Sequence, residues 1–230
     1  MQIREFEKPI GHNKVLNPEL WDGERLKSSV RGALLRIAED FITFVDVPVQ
    51  VVDIVVSGGN ANYTYTNKSD LDLHIIADYG SVQCDREVDE LFDTKRLLYK
   101  KDYNISVHGI PVELYIENSN EPAVSSTYSI LQERWIKKPS SAIPEYDQKE
   151  LEHMVSVWKK ILAQAIKTGN LIICRKAVKI LRMYRKQGLH STKAGEFSIP
   201  NLVYKSLRND DTLAGILTLI DKLHDQELSI

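Results

Sequence analysis

Nowhere does this chain approach the roughly 18 consecutive apolar residues that a bilayer-spanning helix requires. Its opening Met1-Gln2-Ile3-Arg4-Glu5-Phe6 also lacks the long apolar core of a signal peptide. No membrane partner is expected. Cysteine is scarce: Cys84 and Cys174 lie far apart, and no zinc-ligand spacing occurs. Cys174 falls on the apolar stripe of an expected helix and reads as a buried thiol. Together these absences point to a reducing cytoplasm. Internal repeats and low-complexity tracts are missing too. What remains is ordinary for a globular chain of 230 residues, with 43% hydrophobic and 27% charged residues, long enough for one large domain or two small ones.

The net charge of −2 conceals an asymmetry. Residues 1–150 hold 17 Lys and Arg against 25 Asp and Glu, whereas residues 151–230 hold 13 against 7. Between Lys159 and Arg208 there are 12 basic residues and one acidic residue, Glu196. Arg175, Lys179, Arg182 and Lys186 recur at helical spacing and form a continuous basic ridge, with Lys205 and Arg208 following on a later helix. Such a block reads either as a solvated helical face or as an anion-binding wall. Beyond it there is no RNA-binding motif, and a pI near 6.3 is not that of a dedicated nucleic-acid binder.

The most informative stretch is Ser69-Asp70-Leu71-Asp72-Leu73-His74-Ile75-Ile76. On a strand, residues two apart share a face, so Asp70 and Asp72 project together with Leu71 and Leu73 behind them. Two adjacent carboxylates repel unless a cation sits between them. Hard oxygen ligands suit Mg²⁺ or Mn²⁺, and paired metals stabilise in-line phosphoryl displacement. Upstream, the β-branched run Val51 to Val56 ends in Ser57-Gly58-Gly59-Asn60, where glycine lets a backbone approach phosphate closely. Downstream, Ile110 to Glu117 reads as a strand with Glu113 in its middle.

This ordered set resembles the DNA polymerase β-like nucleotidyltransferase superfamily, whose pattern is Gly-Ser, a spacer, Asp-x-Asp and a later third acid. Gly58-Gly59 stands for Gly-Ser, Asp70 and Asp72 for the pair, and Glu113 for the third acid. Gly59 departs from the usual serine, and Glu113 is longer than the commoner Asp. The wider wording resembles phage-encoded nucleotidyltransferases, in Leu16 to Trp21, Asn60 to Tyr65, Tyr128 to Ile130 with Trp135-Ile136, and Asn201 to Arg208. The resemblance implies transfer of a nucleoside monophosphate from an NTP such as ATP to a hydroxyl acceptor, RNA among the candidates, with release of pyrophosphate. It implies two Mg²⁺ (or Mn²⁺) ions on Asp70, Asp72 and Glu113. Nucleotide-binding roles would fall to Ser57, Gly58, Gly59, Asn60 and Ser69, with Arg182, Lys205 and Arg208 neutralising the triphosphate or binding the acceptor. A phage origin would put the protein in the host cytoplasm. The alternative is a binding module that keeps the fold with weakened catalysis, supported by Gly59.

The expected architecture is α/β: a small mixed sheet backed by helices over residues 1–146, then a basic helical domain over 147–230, with the active site in the cleft between them. Asn17-Pro18-Glu19 reads as a helix start, with an apolar stripe from Leu26 to Phe41. Strands are expected near 49–57, 71–77, 103–107, 112–116 and 129–131, with a turn at His108-Gly109. Helices are expected over 85–101 and from about 147 to 169. A further helix should end at Gly188, another open at Pro200, and the last follow Asp210-Asp211. Tyr128 reads as a core residue or as a base-stacking aromatic.

Overall fold

A computed structural model describes residues 9–11, 13–79, 85–120, 125–141, 145–191 and 194–229. Cys84, Glu121-Pro122 and the Met1–Phe6 segment lie outside the described residues. The fold is mixed α/β, and the chain forms two compact units.

The first unit, Gly11–Ala142, is built on a mixed sheet. A two-stranded hairpin, β1 (Trp21–Asp22) and β2 (Arg25–Leu26), precedes helix α1 (Ser28–Val45). Then come β3 (Gln50–Ser57), β4 (Leu71–Asp78), helix α2 (Asp85–Asp102), β5 (Ser106–Val107), β6 (Ile110–Asn118), β7 (Thr127–Ser129) and β8 (Arg134–Lys137). The sheet order is β5-β6-β4-β3-β7-β8, with β4 antiparallel to β3 and parallel to β6. Strand β4 shows why its sequence takes this place. Leu71, Leu73, Ile75 and Ala77 are wholly buried on one face, in a common core with Val30, Leu34, Ala38 and Phe41 of α1. Each such aliphatic side chain contributes about 1.5–3 kcal/mol by leaving water. The alternate residues Asp72, His74 and Ile76 stay partly exposed on the other face, so the period-two pattern separates core from chemistry.

One expectation is corrected. Asn17-Pro18-Glu19 does not start a helix; α1 begins ten residues later at Ser28. The Asn17 carboxamide does accept from the Glu19 N–H (3.1 Å), as a cap would, but its Nδ2 donates to Asn60 Oδ1 (2.8 Å), and the chain turns into the β1–β2 hairpin. Of the two readings of Tyr128, the core one holds: it is 2% exposed and meets Trp21 and Trp135 edge-on, each with ring centroids 5.1 Å apart.

The second unit comprises Ile143–Ile230 together with Met1–Ile10. Its helices are α3 (Gln148–Thr168), α4 (Leu171–Ser191), α5 (Ile199–Asn209) and α6 (Thr212–Leu228). Asp147 caps α3 by accepting from the N–H groups of Lys149 (2.9 Å) and Glu150 (3.0 Å), and Gly169 closes it at φ +60°. The core gathers Leu151, Leu162, Leu181, Leu202, Leu207 and Ile216, with the free thiol Cys174 buried among them. Ile10, 1% exposed, belongs to this core. The expected stop at Gly188 is corrected too, because the helix runs through it to Ser191. Its bare Cα faces α5, where a side chain would meet Ser198 Oγ at 2.6 Å and Pro200 Cβ at 2.7 Å. Among the described residues no helix is long and apolar enough to cross a membrane.

Candidate active site

Sheet register assembles the site. Ser57 at the end of β3 stands opposite Asp72 of β4, and Asp72 stands beside Glu113 of β6. Directly opposed residues share a face, so the three form one row on the side of the sheet away from the α1 core. Asp70 lies just before β4 and outside the ladder.

The turn after β3 is shaped around Asp72. Gly58 adopts φ +73° and ψ −158°, a region open essentially to glycine alone, and a Cβ there would fall 1.8 Å from Asp72 Oδ2. Gly59 opens a 3₁₀ turn, Gly59–Ala61. Asn60 is fully buried and holds this turn in place. Its Nδ2 donates to the carbonyls of Ser69 (3.1 Å) and Asp70 (2.9 Å), its Oδ1 accepts from Asn17, and its own carbonyl accepts from Trp21 Nε1 (2.7 Å). Its carboxamide thus clamps the glycine turn to the acidic segment, and its part in the site is to position both. The Ser69 hydroxyl accepts from the Thr66 N–H (2.9 Å) within its own loop.

Glu113 is held from two sides. Lys100 of α2 donates to Oε1, and the Tyr115 hydroxyl donates to Oε2 (2.8 Å). Burial alone would raise its pKa, but these two hydrogen bonds and the charges of Lys100 and Arg96 outweigh burial and hold the carboxyl below the usual glutamate range. The Tyr115 hydroxyl is pushed far up, first by burial and then by the negative charges of Asp72 and Glu113. A depressed carboxyl stabilises the fold above its unfolded pKa of about 4.3, and that stabilisation is lost as the pH falls through the lower folded value. Glu113→Gln is therefore expected to melt below wild type at pH 6, with the gap narrowing as the pH falls below about 4. Thermal melts of both proteins across this range check this.

Three carboxylates are a donor set suited to Mg²⁺ or Mn²⁺. Among the described residues, however, no three His, Cys, Asp or Glu side chains converge into a group able to hold a metal ion. Asp72 and Glu113 are neighbours in the ladder, and Glu113 can become a ligand through Oε1 only by giving up Lys100.

Sequence reading missed a chain of polar side chains on the same face. Ser57 Oγ lies 2.8 Å from His74 Nε2, and His74 Nδ1 lies 2.8 Å from Glu117 Oε1. The Tyr115 ring stacks on the imidazole at 4.7 Å and 18°, with the Arg96 guanidinium 5.0 Å from the Tyr115 centroid. The available signal was the strand period: His74 follows Asp72 by two, and Glu117 follows Glu113 by four. His108 is a turn residue, at φ +51°.

The basic residues belong to the helical unit. Arg175, Lys179, Arg182 and Lys186 line a groove of about 510 Å³ whose other walls are Val178, Met183, Leu217 and Ile220. The ridge is thus the rim of a groove with apolar walls. Lys205 and Arg208 sit on α5, apart from that groove. No family model matches the chain, and neither a curated protein nor a solved structure matches it.

Proposed function

We propose that the chain is a metal-dependent nucleotidyltransferase that moves a nucleoside monophosphate from an NTP to a hydroxyl acceptor and releases pyrophosphate. The observation that carries this reading is the row Ser57–Asp72–Glu113, with a glycine turn whose backbone exists only because Gly58 leaves room for the Asp72 carboxylate. Asp72, with Asp70 on the loop before it, would hold Mg²⁺ or Mn²⁺, and Glu113 would join them only on giving up Lys100; the ion would supply charge neutralisation of the triphosphate and a lowered pKa for the attacking hydroxyl. The backbone at Gly58 and Gly59 would bind phosphate, and Asn60 fixes that backbone against the Asp70 loop. Arg182, Lys205 and Arg208 are the cations proposed for the triphosphate or for an RNA acceptor.

A second reading, a nucleotide-binding module with weakened catalysis, draws on one observation: both Glu113 oxygens are engaged by Lys100 and Tyr115. Pyrophosphate release separates the two. Each labelled NTP is incubated with the protein, Mg²⁺ or Mn²⁺, and total cell RNA or protein. Release of pyrophosphate with label on one acceptor class supports transfer; nucleotide binding without release supports the module.

Gly59→Ser tests the departure from the superfamily pattern. Gly59 does not use the left-handed region, and a Cβ there would meet Ser69 Oγ at 3.3 Å, which a small shift of Ser69 relieves, with Ser69 Cβ (3.7 Å) and Tyr65 Cα (3.8 Å) at ordinary contact. The substitution adds a hydroxyl donor to the proposed phosphate turn. The rate of pyrophosphate release is expected to hold or rise, and a loss of tenfold or more would mean that the turn presents phosphate differently.

A further inference from the structure

We propose that Ser57 is itself a nucleotidyl acceptor, so that the chain modifies its own hydroxyl. The inference rests on the nucleotidyl-transfer reading and names an acceptor for it.

Three adjacent strands place a nucleophile, a base and an orienting acid in one line. Ser57 is on β3, His74 on β4 and Glu117 on β6, joined by the two 2.8 Å contacts. A carboxylate can only accept, so Glu117 takes the Nδ1–H; in the neutral imidazole Nε2 is then the acceptor that faces the Ser57 hydroxyl. Stacking on Tyr115 holds the ring in plane, and Tyr115 is itself tied through its hydroxyl to Glu113. A serine filling space on a sheet face needs no such chain. Activation of a hydroxyl by an oriented base is the arrangement that nucleophilic transfer uses.

Position supports the same conclusion. Ser57 is the register partner of Asp72 and the residue before Gly58-Gly59, so its oxygen stands at the edge of the proposed phosphate turn. In the step proposed, Ser57 Oγ attacks the α-phosphorus of the NTP. The Oγ–P bond forms, the bond from the α-phosphorus to the bridging oxygen breaks, pyrophosphate leaves, and the hydroxyl proton passes to His74 Nε2. The product is a phosphodiester linking Ser57 to the nucleoside.

The test uses the full chain with each α-labelled NTP and Mg²⁺ or Mn²⁺, first without another acceptor and then with total cell RNA and protein. Intact mass should rise by one nucleoside monophosphate, and peptide mapping should place it on Ser57. Ser57→Ala should lose the label, and Ser57→Thr, which keeps a hydroxyl, should retain it at that position. The Thr variant keeps the test decisive if Ser57→Ala fails to fold. His74→Gln should slow labelling by roughly 100-fold, the low end of what a positioned base contributes, and Glu117→Gln should slow it less. Pyrophosphate release with an unlabelled chain would overturn the inference and leave nucleotidyl transfer standing. So would label at another residue, or label persisting in Ser57→Ala. Neither release nor label would overturn both.

Discussion

Asp72→Asn is expected to abolish pyrophosphate release while leaving the melting temperature within about 2 °C of wild type, a change below 1 kcal/mol for a chain of this size. Asp72 is the middle residue of the Ser57–Asp72–Glu113 row, and its carboxylate lies against Gly58. Asparagine keeps the shape and the two-residue repeat of β4 but loses the charge that would hold a divalent cation. Removing a mere outer-shell partner of a metal costs about 10–100-fold, so loss of a ligand should exceed that range. Packing is untouched, because the buried face of β4 is made by Leu71, Leu73, Ile75 and Ala77. Release rates and melts on the same preparation decide the matter. Full activity in the double variant Asp70→Asn/Asp72→Asn would remove the acids from the mechanism.

Gly58→Ala should damage both fold and activity. Alanine at φ +73° and ψ −158° carries backbone strain of about 1–3 kcal/mol. The added methyl also falls 1.8 Å from Asp72 Oδ2 and 3.0 Å from Asp72 Cγ, so the short aspartate side chain must swing out of its place. Strain alone lowers the melting temperature by about 2–4 °C for each kcal/mol. Displacement of Asp72 should reduce pyrophosphate release as severely as its substitution does. Gly59→Ser, one residue on, is the control: it adds more atoms yet lacks both the strain and the severe clash. If Gly58→Ala melts and turns over like wild type, the turn is not built around Asp72.

What was legible in the sequence was local. The alternation Leu71, Asp72, Leu73, His74, Ile75 announced β4 and the face Asp72 would take, although Asp70 falls before the strand. The stripe Val30, Leu34, Ala38, Phe41 announced α1, and Pro200 announced α5 at its first turn. What escaped was decided by partners distant in sequence. Asn17 carries a helix-start signal, but its side chain answers to Asn60, 43 residues on. Gly188 reads as a stop, yet it is small because Ser198 and Pro200 approach it. Asp70, Asp72 and Glu113 could be named from spacing. That Lys100 would occupy Glu113 depends on how α2 packs on β6, and that His74 would meet both Ser57 and Glu117 depends on the β3–β4–β6 register, neither of which a local pattern encodes.

Ile10 gives the chain an order of events. It is made early, yet the core that buries it consists of helices from α3 onward. During synthesis the sheet unit, Gly11–Ala142, leaves the ribosome whole before that core exists, and domains generally fold as they emerge. Ile10 must therefore wait until helices from α3 onward have been made. Closing a long flexible loop costs more entropy than closing a short one, by a term that grows with the logarithm of its length. A sheet unit already folded replaces the loop between Ile10 and α3 with a compact insert, and so lowers the cost of the last step. Slowing the sheet unit's folding should then delay burial of Ile10, and with it the helical core, although no residue of that core has been altered.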